Sequence, residues 1–483
     1  AFLIPFFIFL VTCGLPLFFL ECSIGQFSGK GPLHVWTIAP LFAGVGMAMN
    51  IVSAMCAFYY NIIIAWALYY LGHVFTKRLP WTSCDNDWNT DNCYTVEDCH
   101  GYGLAGNDSL YSANGFNYSD NGFNYTTNGF IYTTYGFNDS ASSYNASIAL
   151  LNSTMSKCGK NGTGISAAEE FWKRSVLRIS DGLEDMGTVQ WEMMLCFFAA
   201  WLFIFLCLMK GVQTLGKVVY VTATLPYVLL TAILIRGVTL PDLNTFSTLR
   251  DSIFITFLGE GTSIYGGLAV FSVLGFMAKS RNTGIEDAFG MVEIICGSIV
   301  ESYPKIFHKR RVLLTGLICA FFFILGLPLT MNGGIYVFQL FDWYSTSFGL
   351  PLIGVMECFV LGWIYGTDKL SDDIMTMIGR RPPLFMTICW KYITPTILAV
   401  ALGFAFWGYT PPTYGDYEFP AFARGLGWCI GLVPILPIPV VMVVKIITTS
   451  GTFGERVKTL IKPSADWEPA LKTDVLMADE ARV

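Results

Sequence analysis

A chain of 483 residues that is 54% hydrophobic, 16% aromatic and only 13% charged falls far below the ~25% charged residues of soluble domains and reads as a membrane protein. Its formal net charge of −6 leaves no basic footprint for nucleic acid. Absence of HExxH, GxxxxGK[ST] and GxSxG, with histidines scattered along the chain, argues against an enzyme.

Ten apolar stretches follow in chain order, near residues 2–20, 45–71, 191–209, 218–235, 253–278, 285–300, 312–330, 348–365, 384–406 and 425–447. A helix needs ~20 apolar residues to cross ~30 Å of hydrocarbon. Only 285–300 falls clearly short, and it is interrupted by Glu286, Asp287 and Glu293. The long runs lack the two-residue alternation of an outer-membrane barrel. The expected fold is therefore an all-α polytopic membrane bundle.

Between Trp81 and Gln190 the chain turns soluble in character and carries Asn-X-Ser/Thr sequons at Asn107, Asn117, Asn124, Asn138, Asn145, Asn152 and Asn161. Sequons are modified only on the lumenal side, so this loop is expected outside. Cys84, Cys93, Cys99 and Cys158 lie in the same loop and fit an oxidising compartment. The remaining cysteines stand singly in apolar surroundings, where packing is the expected role. Within the loop, Gly115-Phe-Asn-Tyr, Gly122-Phe-Asn-Tyr, Gly129-Phe-Ile-Tyr and Gly136-Phe-Asn-Asp recur every seven residues. Their glycines and asparagines exclude a coiled coil, and the tract reads as flexible.

Counting crossings from this loop tests the positive-inside rule. Segment 191–209 leads to Lys210 and Lys217 in the cytoplasm, as the rule wants. Three further crossings, 218–235, 253–278 and 285–300, would put Lys305 to Arg311 outside, followed by Lys369 to Lys391 and Lys445 to Lys462. Either 285–300 does not cross, or a helix between Arg236 and Lys305 is absent. Counting backward places Lys30 inside and Ala1 outside with no basic leader, so a further helix is expected ahead of Ala1.

The run VLRISDGLEDMGTVQWEMMLCFFAAWLFIFLCLMKGVQTLGKVVYVTATLPYVLL from Val176 resembles the neurotransmitter:sodium symporters, the sodium- and chloride-coupled carriers of amines and amino acids. The resemblance extends through AFLIPFFIFLVTCGLPLFFLECSIGQF at the start, FYYNIIIAWALYYL at 58–71, GGIYVFQLFDWY at 333–344, WIYGTDKLSDDI at 363–374 and TPPTYGDYEFPAFARGLGW at 410–428. It implies two inverted repeats of five helices plus two more, with helices one and six unwound at the midplane to hold substrate and ions. By this resemblance residue 1 falls just past helix one. The chain then passes from Arg236-Gly-Val-Thr-Leu-Pro at the end of helix five to Arg250-Asp-Ser-Ile at the start of helix seven, and from Phe276-Met-Ala into helix eight at Thr283-Gly-Ile-Glu-Asp. The resemblance thus selects the absent-helix repair, an incomplete inverted-repeat bundle. It assigns 1–78 to helices two and three, 79–190 to the glycosylated loop, 191–462 to helices four, five and seven to twelve, and 463–483 to a cytoplasmic tail.

Site residues follow by the same resemblance. Tyr60 corresponds to the tyrosine whose hydroxyl faces substrate, Cys56 to a subsite position and Met291 to a pocket position on helix eight. Glu21, an acid inside an apolar helix, corresponds to the brace behind the unwound helices and is expected to have lost its partners. For sodium, Glu286 and Asp287 replace Asp-Ser, Thr283 offers a carbonyl, and Gly259 replaces an asparagine. For chloride, Ser263 is retained while Phe6 replaces a tyrosine. Asp342 and Glu301 correspond to the acidic members of the outer and inner gates, and their arginine partners lie on or before helix one. Cys84 and Cys93 correspond to the loop disulfide. The expected function is symport of a small amine or amino acid with sodium and chloride across the plasma membrane, by a multi-pass carrier that is transport-incompetent in its present form. The competing reading is a glycosylated, non-transporting membrane interaction protein derived from a carrier.

Overall fold

The computed structural model describes residues 7–95, 164–209, 291–307, 310–465 and 467, with the backbone of three strands between 117 and 134. Expected spans 218–235 and 253–278 lie outside the described residues. Contacts group Ala1–Ala65 with Ser180–Val483, and separately gather Trp66–Ile179.

In the first unit, α1 (Phe7–Ser28), α2 (Pro40–Val74, running on into the second unit), α4 (Trp191–Leu208), α7 (Gly334–Ile378) and α8 (Leu384–Trp407) are long and apolar enough to cross a membrane. α9 (Ala421–Leu432) and α10 (Pro437–Thr448) add a sixth span if counted together. α5 (Met291–Ser302), α6 (Arg311–Leu325) and α11 (Phe453–Leu460) are shorter. α4 and α6 pack through aromatic rings, with Trp201 stacked on Phe322 at 5.8 Å. α7 seats Tyr344 on α9, where Gly427 lies so close that a β-carbon would come within 2.1 Å of the Tyr344 ring.

Three expectations change. α7 begins at Gly334 rather than near 348, because Tyr336, Leu340, Tyr344 and Phe348 recur at helical spacing and are buried although intervening polar residues depress the local hydropathy. The stretch expected as one helix over 425–447 bends by 46° between α9 and α10, at Pro434 and Pro437. Glu293 does not interrupt its segment. It lies within α5, is 7% exposed and forms an ion pair with Arg311 of α6.

The second unit closes around Phe171, which is fully buried and touches the rings of Tyr69, Tyr70, His73, Trp81 and Trp88. Phe171 follows the short helix α3 (Ala167–Glu170), capped by Ser166 Oγ on the Glu169 N–H. Cys84 and Cys93 are joined as a disulfide, and β1 (Cys93–Tyr94) pairs in parallel with Ile165–Ser166. Cys99 and Cys158 lie outside the described residues. The tract read as flexible contains β2 (Asn117–Ser119), β3 (Gly122–Thr127) and β4 (Phe130–Thr134) in an antiparallel meander. Ser119 pairs with Gly122 and Thr127 with Phe130. Asn117 and Asn124 are register partners, and the other sequons lie outside the described residues.

Glu170 is 1% exposed and accepts hydrogen bonds from Asn89 Nδ2 at 3.0 Å, the Thr90 N–H at 2.9 Å and the Thr90 hydroxyl. Burial opposes its ionisation, but these bonds and Arg174 outweigh it and hold the carboxyl below its ordinary value of 4.5. A depressed carboxylate stabilises the fold above its unfolded pKa and loses that contribution as pH falls through the folded value. Resistance of the loop unit to proteolysis should be steady at neutral pH and fall below about pH 4.5. Glu170→Gln should flatten that acid limb and weaken the unit at neutral pH.

Candidate substrate-facing site

α2 carries the tyrosine and cysteine singled out above. Cys56 and Tyr59 are 8% and 3% exposed, and Cys56 Sγ lies 3.8 Å from Tyr59 Oη. Ser345 of α7, wholly buried, lies against both. Asp342, three residues earlier on the same helical face, is within electrostatic reach of the pair. It stands inside a helix, not at a loop edge. Tyr60, the next residue of α2, is 52% exposed, so its phenol is presented outward while its neighbours pack inward. Asn61 is 3% exposed, and among the described residues neither its Oδ1 nor its Nδ2 meets a hydrogen-bonding partner. An unsatisfied buried amide costs about 1–3 kcal/mol, so Asn61 is a further polar group of α2 open to a partner. Its signal was the single amide following Phe58-Tyr-Tyr in an apolar run.

α5 touches α2 and the segment before it. Ser298 Oγ donates to Asn50 Oδ1 at 2.7 Å, and Glu301 reaches Gly31, which precedes α2, accepting its N–H at 3.0 Å. Met291 is the first residue of α5 and is 37% exposed. Glu301, expected unpaired, is held by the Gly31 N–H and lies 3.3 Å from His34 Nδ1. A backbone donor in the α1–α2 connection substitutes for the arginine that the resemblance implies.

Glu21 also has a partner. Its carboxyl and that of Glu357, on α7, are in hydrogen-bonding contact. Glu357 is 5% exposed, whereas Glu21 as a whole residue is exposed. A hydrogen bond between two carboxyl groups needs one of them to carry the proton. Glu357 was legible as a lone acid within the apolar stretch 348–365, and pairing across helices is what makes such an acid tolerable. Along α7 this pair lies about 20 Å from Asp342.

Phe6, Gly259, Ser263, Thr283, Glu286 and Asp287 lie outside the described residues, and among the described residues no group of three or more His, Cys, Asp or Glu could hold a metal ion.

The frame of spanning helices agrees with comparison to known proteins. The family model described as "Sodium:neurotransmitter symporter family" matches residues 1–119, 123–247 and 282–449. A sodium- and chloride-dependent glycine transporter 2 of Xenopus laevis is 32% identical over 566 aligned residues, covering 98% of this chain and 68% of the relative. A sodium- and chloride-dependent taurine transporter of Bos taurus is 33% identical, with 96% and 82% covered, and a GABA transporter 2 of the same species 32% identical, with 96% and 84% covered. The chain is a multi-pass helical membrane protein and belongs to the sodium:neurotransmitter symporter family.

Proposed function

We propose that the protein is built as a sodium-coupled symporter of a small amine or amino acid in the plasma membrane, with chloride as a second co-transported ion. The observation that carries this reading is the exposed Tyr60 on α2, beside the buried polar cluster of Cys56, Tyr59 and Ser345 with Asp342 near it, in a chain of this family. A phenol and an amide on an otherwise apolar wall suit a small ligand bearing few polar groups. Ion binding would favour the outward-open state and substrate would then close the outer gate, so that the sodium gradient drives uphill movement. The glycosylated loop faces outside, and the basic segments near Arg310, Arg380 and Lys445 face the cytoplasm.

We further propose that the 483-residue chain does not itself transport. Support comes from the short join between Arg236 and Arg250, from residues 248–281, which the family model leaves unmatched, and from Phe6, Gly259 and Glu286-Asp287 at ion positions. In cells given labelled glycine, taurine or GABA, the chain should reach the surface without sodium-dependent uptake. A transcript product with the coding sequence restored at Leu249–Arg250 and near Lys279 should take up one of them only with sodium. Uptake by that product in an impermeant cation would sink the symport reading, and sodium-dependent uptake by the present chain would sink the incompetent one. Failure of both products to transport despite surface expression would favour the interaction protein.

Orientation has its own check, since glycosidase treatment should lower the apparent mass of the surface-labelled protein. An unchanged mass contradicts an external loop.

The Glu21–Glu357 pair is assigned to locking α1 onto α7. Glu357→Gln keeps a donor for Glu21 and should leave thermal stability in detergent close to that of the parent. Glu357→Leu strands Glu21 and should cost about 1–3 kcal/mol. Equal stability of the two variants would remove the pair from this role.

A further inference from the structure

Where α7 and α8 meet, a lysine is held between aromatic rings on the outer surface of the bundle. Lys391 Nζ lies 5.2 Å from the centroid of the Trp363 ring and 5.7 Å from that of Tyr392. The two rings meet edge to face at 5.5 Å. Trp363 and Tyr392 are 54% and 52% exposed, and Leu384, Phe385 and Ile388 of the same helix are exposed as well. Among the described residues neither Lys391 Nζ nor Tyr392 Oη has a hydrogen-bonding or acidic partner.

The box is fixed from below. Gly362 lets the backbones approach, since a β-carbon there would lie 3.1 Å from the Trp390 carbonyl and 3.3 Å from Lys391 Cα. Trp363 Nε1 donates to the Lys391 carbonyl at 2.9 Å, an oxygen that Pro395, four residues on, cannot serve. That bond holds the indole face beneath the ammonium.

Its depth suits a headgroup. α8 starts at Leu384, directly after Arg380-Arg381-Pro-Pro, so Lys391 lies about 10 Å into the span, within reach of the interface for a long, snorkelling side chain. Trp363 lies just before Gly366, whose φ of +98° turns the chain into the charged arm Thr367–Ile378. Tryptophan and tyrosine at this level form the interfacial belt. The neighbouring Arg381, by contrast, is paired with Asp372 at 2.5 Å.

We propose that Lys391, Tyr392 and Trp363 form a binding site for an anionic glycerophospholipid of the cytoplasmic leaflet. Lys391 Nζ and Tyr392 Oη hold the phosphate, and the acyl chains run from there toward the bilayer midplane along the lipid-facing surface of α8. The occupant follows from charge: an uncompensated cation on a lipid-facing surface, at the end marked cytoplasmic by Arg380 and Arg381, meets a leaflet rich in anionic lipid.

The test uses the full chain purified in detergent, with thermal unfolding followed as phosphatidylserine or phosphatidylcholine is added. Phosphatidylserine should raise the midpoint by at least ~3 °C more than phosphatidylcholine. Lys391→Gln should abolish that difference, Tyr392→Phe should halve it, and Lys445→Gln, a lysine of α10 outside the box, should retain it. Equal shifts from the two lipids, an unchanged difference in Lys391→Gln, or equal loss in Lys445→Gln would overturn the proposal. So would a shift of the same size from soluble glycerophosphoserine, which would indicate a free-phosphate site. If Lys391→Gln does not fold, an unchanged difference in Tyr392→Phe overturns it alone.

Discussion

In hydrocarbon a backbone carbonyl or a carboxyl group without a partner costs several kcal/mol, and contacts between the helices form where that cost falls. Pro16 has no N–H for the Thr12 carbonyl four residues earlier. Thr394 Oγ1 donates to that carbonyl at 2.6 Å, and Trp390 Nε1 donates to the carbonyl of Pro16 itself at 2.7 Å. Pro395 leaves the Lys391 carbonyl in the same position, and Trp363 Nε1 fills it. The ladder widens into π turns at Leu10–Gly14 and Cys389–Ile393, just ahead of the two prolines, the local adjustment by which membrane helices accommodate them. The prolines thereby determine which helices are tied together: α1 to α8, and α8 to α7.

The acids obey the same constraint with a larger penalty. Glu21 meets Glu357, Glu293 meets Arg311, and Glu301 meets the Gly31 N–H. Each pairing joins different elements, so removing one partner exposes the other's desolvation cost, as with buried ion pairs whose breaking costs more than their making gains. Specificity of helix pairing is the better account of why such pairs persist in an apolar bundle than net stability.

Much of this frame was legible. Apolar length located α2, α4 and α8 to within five residues, because each is a single uninterrupted run, whereas α1 continues eight residues beyond the expected end at 20, through Glu21 to Ser28. α7 was read short because hydropathy averages over both faces, and the polar residues at 342, 345, 346 and 347 masked a buried stripe at 336, 340, 344 and 348. The 46° bend between α9 and α10 was written in Pro434 and Pro437 but hidden by high hydropathy on either side. Of the site, Tyr60, Cys56 and Asp342 were found through motif resemblance, and Asp342 lies within electrostatic reach of Cys56. Glu357 carried the same signal as Glu21, an acid in an apolar run, and went unremarked because no motif framed it. The partner of Glu301 had no signal at all, since a backbone N–H is present at every residue but proline and only the fold selects Gly31.

The ties that hold the frame and the groups that face the site occupy different segments. Proline-directed bonds and the Glu21–Glu357 pair join α1, α7 and α8 toward the end of α7 that carries Gly366. Tyr60, Asn61 and Met291 lie on α2 and α5, and Ser345 and Asp342, about 20 Å away from the pair along α7, lie against Cys56 and Tyr59 of α2. The interhelical contacts among the described residues use none of the expected ion-binding positions, so a loss of ion ligands, as proposed above, would leave those driving forces intact. A carrier can therefore lose its coupling chemistry without losing its bundle. In such a protein, folding and surface delivery are no measure of transport, and the stability of the frame and the occupancy of the site must be followed by separate observables.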